Sequence, residues 1–171
     1  AIFSYVIRRG SSSFGGSTIT QQLVKNLTGD DSNTISRKVK EWFYACVLDG
    51  CFSKDDILEA YLNIIYTGPN IYGVKEAAHY YFNRDIKDLS LAESAFLSGI
   101  NNSPNSYNPF SDTDKSEKIN KRTKTVLNKM LELGYISKDE HSDAILELDN
   151  GLKFSKGTIS GNSNIYSYHT D

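Results

Sequence analysis

The 171-residue chain has two cysteines, three prolines and one tryptophan, almost no net charge, and no apolar run approaching the ~20 residues of a membrane-spanning helix. Each shortage closes off a class of protein. Cys46 and Cys51 lie five apart, a spacing that neither stacks on one helix face nor matches a zinc pattern, so they are expected as core thiols rather than as a disulfide or metal ligands. His79, His141 and His169 are scattered and bring no second ligand at helical spacing. A formal charge of −2 gives no general attraction for nucleic acid, so any anion site must be local. Ala1 to Ile7 is apolar but short and ends at Arg8-Arg9; without a preceding basic region or a cleavage site it is not a signal peptide, and it is expected as a core helix.

What is present reads as a succession of helices around one core, in a chain that is 39% hydrophobic. Gly15 to Asn26 places three amide side chains and one ammonium on a short helix behind a glycine turn. Thr18 is suited to N-cap it with Gln21 at N3, and Ile19, Leu23 and Leu27 are expected on the buried side. Gln22, Lys25 and Asn26 are left on another face, close to a helix N-terminus, where phosphate or pyrophosphate is well received. A second helix is predicted after Ser32-Asn33, with Ile35, Val39, Trp42 or Phe43, Cys46 and Val47 inside and Arg37, Lys38, Lys40 and Glu41 on the other face.

Ser53 with Asp56 caps a third helix, and Gly68-Pro69 follows its end. Ala77, Ala78, Tyr81 and Phe82 belong to a fourth, ending near Asn83. Ser90 to Glu93 is a capping box for a helix reaching about Ile100; 101–112 is a loop; a long helix from about Asp114 to Leu133 stops at Gly134, and Ser137 to Glu140 opens another. Alternating stretches are short, which predicts a mainly α domain over 1–150. From Gly151 to Asp171, Ser, Asn, Gly and Lys dominate, which predicts an irregular C-terminal segment.

Four ordered motifs carry a family resemblance. Gly15-Gly16-Ser17-Thr18-Ile19-Thr20-Gln21-Gln22-Leu23-Val24-Lys25-Asn26 resembles the signature of the family 51 peptidoglycan glycosyltransferases, found in class A penicillin-binding proteins and monofunctional transglycosylases. Arg37-Lys38-Val39-Lys40-Glu41 is similar to the third motif, and the stretch from Lys54 to Asn63 to the fourth. Arg122 to Met130 resembles the fifth, with Thr123 where the family usually has arginine. The first motif, an acidic pair followed by Phe, His and Gly, is not in this sequence, and the resemblance places it upstream of Ala1. It therefore implies an N-terminally truncated, lysozyme-like helical domain, and 151–171 resembles the stretch leading towards a penicillin-binding domain.

The resemblance implies polymerisation of lipid II: the 4-hydroxyl of an acceptor sugar attacks C1 of a donor sugar, with inversion and loss of a lipid pyrophosphate. One carboxylate must take the acceptor proton, and cations must meet the charge that builds on the leaving group. The proton acceptor is the glutamate of the missing motif, so this chain alone is expected to be inactive. Glu41 matches the second essential carboxylate and is the catalytic candidate; Gln22, Lys25, Asn26, Arg37 and Lys38 are the substrate-binding candidates. Glu41→Gln is expected to stop turnover with little change in thermal stability. Glu59 is expected as a buried structural acid, paired with Arg122.

The partners implied are lipid II, the growing glycan strand, the outer leaflet of the bacterial cell membrane and moenomycin-type phosphoglycolipids, but no nucleic acid. The implied location is the extracytoplasmic face of that membrane, with an upstream anchor. No residue is assigned to a metal, although Mg²⁺ is implied as an aid at the pyrophosphate. A lysozyme-like glycoside hydrolase and a non-catalytic donor-binding module are the alternatives; the hydrolase has no use for a pyrophosphate cradle.

Overall fold

The computed structural model describes residues 16–158, and the chain divides into two compact units between Ile64 and Ile65. The expected helix at Ala1 to Ile7 and the stretch beyond Thr158 lie outside the described residues. Seven α-helices and one two-stranded sheet account for the regular structure among the described residues, apart from short 3₁₀ turns, so the chain is mainly α as its sequence predicts.

The first unit contains α1 (Ile19–Thr28), α2 (Ile35–Cys51) and α3 (Lys54–Ile64), with α1 packed on both of the others. Thr18 and Gln21 form the predicted capping box, and Gly29, at φ 62°, closes α1 by donating to the Lys25 carbonyl at 3.0 Å. The buried stripe of α1 is Thr20, Leu23 and Val24, whereas Ile19 and Leu27, expected inside, are exposed. Spacing every four residues drifts around a 3.6-residue turn, so Ile19 and Leu27 leave the face that Leu23 occupies. Ser53 and Asp56 make the predicted reciprocal cap of α3, with Ser53 N to Asp56 Oδ2 and Asp56 N to Ser53 Oγ both at 3.1 Å.

In α2 the expected sides are reversed. Arg37, Glu41 and Ala45 are buried, one turn apart, while Ile35, Val39, Trp42, Phe43, Tyr44 and Val47 are exposed, Phe43 by 58%. The helix turns its ion pair inward because two opposite charges one turn apart neutralise each other, and Ala45 is small enough to continue the stripe. Cys46 and Cys51 are free, as expected, but exposed rather than in the core, because the buried side of α2 is the stripe of Arg37, Glu41 and Ala45. Glu59 is exposed too, on the face of α3 opposite the buried Ile57 and Tyr61.

The second unit begins with a hairpin, β1 (Tyr66–Gly68) and β2 (Ile71–Tyr72), paired antiparallel around Pro69 and Asn70. A Cβ at Gly68 would fall 2.6 Å from the Tyr81 hydroxyl, so the position needs glycine. Helices α4 (Val74–Phe82), α5 (Leu91–Ile100), α6 (Ser116–Glu132) and α7 (Lys138–Asp149) follow. Asn83 ends α4 in the left-handed conformation, at φ 51°. Helix α5 is apolar on nearly all sides and packs against both α6 and α7, which makes it the centre of this unit. Arg122 donates its Nε to the Gly99 carbonyl at 3.2 Å.

Residues 151–158 contain no helix or strand and cross the end of α4. Ser155 and Gly157 donate their backbone N–H groups to the carbonyls of Tyr81 and Tyr80 at 2.9 and 3.1 Å, supplying partners that a helix end lacks. Phe154 stacks on Phe82 and meets Phe96 edge-on, so the segment belongs to the core. Burial first, and then Tyr80 and Tyr66, pushes the Tyr81 hydroxyl well above the ordinary tyrosine range, leaving it a neutral donor to the Thr67 carbonyl at 3.0 Å.

Candidate functional site

Ser17 lies outside α1, just before its N-cap Thr18, and within reach of Lys38 on α2. Thr34 caps α2 by accepting from Arg37 N at 3.2 Å, which places Arg37 and Lys38 in its first turn and Glu41 one turn further on. Glu41 is 3% exposed. Its Oε1 accepts from the Arg37 guanidinium and its Oε2 accepts from Lys38 Nζ at 2.6 Å. Arg37 also donates its Nε to the Ser32 carbonyl, so the guanidinium is held from two sides. Lys38 Nζ donates to Ser17 Oγ at 3.1 Å, which joins α2 to the turn before α1.

Gln22 completes the group from α1. Its Nε2 donates to the Ser17 carbonyl at 3.3 Å, and its Oε1 accepts from the hydroxyl of Tyr61 on α3 at 3.2 Å. The structure therefore brings together four expected residues, Gln22, Arg37, Lys38 and Glu41. Lys25, one turn before the end of α1, pairs instead with Asp31 at 2.9 Å; both are exposed, and such a pair contributes little. Asn26 is half-buried one turn beyond Gln22, and among the described residues it takes part in none of these bonds. Ser17 and Tyr61 are members that sequence reasoning did not select. Tyr61 had a signal, since it falls inside the fourth motif at helical spacing from Ile57.

Charge is unbalanced here: Arg37 and Lys38 share the single carboxylate of Glu41, leaving one positive charge without a partner. Burial first, then the charges of Arg37 and Lys25, holds the Lys38 amine below the ordinary lysine value although Glu41 lies at 2.6 Å. The ion pair favours the protonated amine, but that carboxylate is already shared with Arg37. An anion beside Lys38 would relieve this penalty, so the arrangement suits a phosphate. No group of three His, Cys, Asp or Glu side chains among the described residues is placed to hold a metal ion, and both oxygens of Glu41 face cations. The residues do not fit a protein-held Mg²⁺.

Comparison with known proteins identifies the family. A family model described as transglycosylase matches residues 1–131. Penicillin-binding protein 1A of Clostridium botulinum (strain Langeland) is 43% identical over 166 residues, covering 95% of this chain and 20% of that protein. Penicillin-binding protein 1F of Bacillus subtilis is 45% identical over 126 residues, 74% of this chain and 17% of that protein. A crystal structure of penicillin-binding protein 1A from Haemophilus influenzae superposes with a TM-score of 0.54 at 27% identity, over 90% of this chain and 19% of that one. The chain thus spans about a fifth of the length of the curated relatives it matches. With most of its length inside the family model and its motifs in family order, the chain belongs to the transglycosylase family, the family 51 peptidoglycan glycosyltransferases.

Proposed function

We propose that this chain supplies the donor side of a peptidoglycan glycosyltransferase site that polymerises lipid II. The observation that carries the reading is the pair of cations, Arg37 and Lys38, held on one buried carboxylate, with Lys38 bonded to Ser17 just before the N-terminus of α1. The acceptor 4-hydroxyl oxygen forms a bond to donor C1 on the face opposite the leaving group. The bond from C1 to the pyrophosphate oxygen breaks, and its electron pair leaves on that oxygen. Lys38 meets the charge that develops there, Gln22 and Asn26 supply amide donors on the same face of α1, and Lys25 adds a nearby positive charge. Glu41 contributes by fixing Arg37 and Lys38 in place.

The acceptor proton needs another base. Glu41 is the only buried carboxylate of the first unit among the described residues, and both its oxygens are engaged by cations. The family resemblance gives that role to the glutamate of a motif this 171-residue sequence does not contain, so polymerisation by this stretch alone is not expected. Phosphoglycolipids of the moenomycin type occupy the same cradle through their phosphate. A Mg²⁺ ion assisting at the pyrophosphate would be held by the substrate's phosphates and would help neutralise the leaving group.

Lipid-linked substrate places the work at the outer face of the cytoplasmic membrane. The exposed apolar side of α2, with Ile35, Val39, Trp42, Phe43, Tyr44 and Val47, supports contact with that surface. The test of function measures glycan polymerisation and glycan cleavage side by side, using the protein at its full natural length. Polymerisation without cleavage is expected. Cleavage instead would favour a hydrolase, and neither activity together with retained phosphoglycolipid binding would favour a non-catalytic module.

A further inference from the structure

We propose that Tyr61 is a positioning residue for Lys38, acting from α3 through Gln22 and Ser17. The inference rests on the reading of Lys38 as the cation that meets the donor pyrophosphate. Hydrogen-bond polarity fixes the direction of the relay. The Ser17 carbonyl can only accept, so the Gln22 amide must turn its Nε2 towards it, at 3.3 Å. That leaves Gln22 Oε1 facing Tyr61 at 3.2 Å, and the Tyr61 hydroxyl must donate. At the other end Lys38 Nζ can only donate, so Ser17 Oγ accepts from it at 3.1 Å.

Each link constrains something that would otherwise move. Ser17 precedes the N-cap, and the first backbone bond of α1 runs from Gln22 N to the Thr18 carbonyl, so the helix ladder does not reach the Ser17 carbonyl. The Gln22 side chain is what holds it. Lys38 ends a flexible four-carbon stem with a 42% exposed side chain, and Glu41 alone fixes its distance from one atom. The second contact, to Ser17, fixes its direction. Tyr61 is 5% exposed and packed with Ile57, which makes it the rigid end of the relay. Its removal from the relay should be felt at Lys38, more than 20 residues away in sequence, without any change in local charge.

The experiment is a double-mutant cycle on lipid II polymerisation by the protein at full natural length, using Tyr61→Phe, Lys38→Ala and the pair. With Lys38 present, Tyr61→Phe is expected to lower kcat/KM roughly fivefold, about the net value of one hydrogen bond. With Lys38→Ala it should lower kcat/KM by less than about twofold, because nothing remains to be positioned. An equal loss in both backgrounds would mark Tyr61 as merely structural and overturn the proposal; no loss in the wild type would overturn it as well. Should Tyr61→Phe fail to fold, Ser17→Ala, which removes the hydroxyl that accepts from Lys38, is read against Lys38→Ala in the same way. If Lys38→Ala leaves kcat/KM unchanged, the pyrophosphate reading is what fails. The relay is then decided by the side-chain amide NMR signals of Gln22, which should shift in Tyr61→Phe; unshifted signals would overturn it.

Discussion

Replacing Glu41 by glutamine removes one charge from the centre of the site and almost none of its volume. Arg37 remains buried, and its partner becomes a neutral amide. Breaking a buried ion pair from one side costs about 3–5 kcal/mol. The amide oxygen still accepts one bond from the guanidinium, which offsets about 1–2 kcal/mol. The remainder, roughly 1–4 kcal/mol, lowers the melting temperature by roughly 2–16 °C for a chain of this size. This corrects the sequence-based expectation of little thermal change, which treated Glu41 as a group facing substrate rather than one buried between two cations. Turnover by the protein at full natural length should fall by about 10²–10³, the loss typical of a disabled charge-stabilising group, since Arg37 and Lys38 then repel each other. Thermal denaturation and polymerisation of the same preparation are the assays. A melting temperature within about 1 °C of wild type, together with normal polymerisation, would refute the reasoning.

Other outcomes follow from the same structure. Lys38→Ala should weaken donor binding more than Lys25→Ala, because Lys25 is already paired with Asp31 on the surface; Lys138→Ala, at the exposed start of α7, should leave binding unchanged, as titration with a lipid II analogue will show. Gly157→Ala drives a Cβ into the backbone carbonyl of His79 and should destabilise the second unit by about 1–3 kcal/mol, read as a lower melting temperature. Hydrogen bonds to Ser53 and Ser137 hold Asp56 and Glu140 below their ordinary values, so the stability they give is present above the unfolded-state values, 3.8 and 4.5, and is lost as pH falls through the depressed folded values. Melting curves across that acid range should flatten in Asp56→Asn. Liposome flotation should recover the 171-residue chain, and Trp42→Asp with Phe43→Asp should abolish recovery; flotation unaffected by the pair would exclude α2 as the contact.

Local rules made much of the fold legible before any coordinates. The capping boxes at Thr18, Ser90 and Ser137 are short-range patterns complete within four residues, and all three stand in the structure. Asn83 in the left-handed position likewise follows from side-chain chemistry. The orientation of α2 was hidden because a helical wheel assigns the apolar arc to the interior, whereas here a self-neutralising Arg37–Glu41 pair takes that place. The hairpin at 66–72 escaped because its strands are too short to alternate. At the site, motif order picked out the charged members, and four of the six candidates share one hydrogen-bonded group. Ser17 and Tyr61 were invisible as partners because their contacts reach 21 and 39 residues along the chain.

Binding of a lipid-linked disaccharide pyrophosphate by titration calorimetry, with wild type and Lys38→Ala at low and high salt, tests the central claim most directly. Wild type should bind more weakly as salt rises, because contacts between cations and phosphate are charge-assisted and screened. Lys38→Ala should bind at least about tenfold more weakly at low salt and lose much of that salt dependence. Equal affinity in the two proteins, unchanged by salt, would contradict the assignment of a pyrophosphate to the cations held on Glu41.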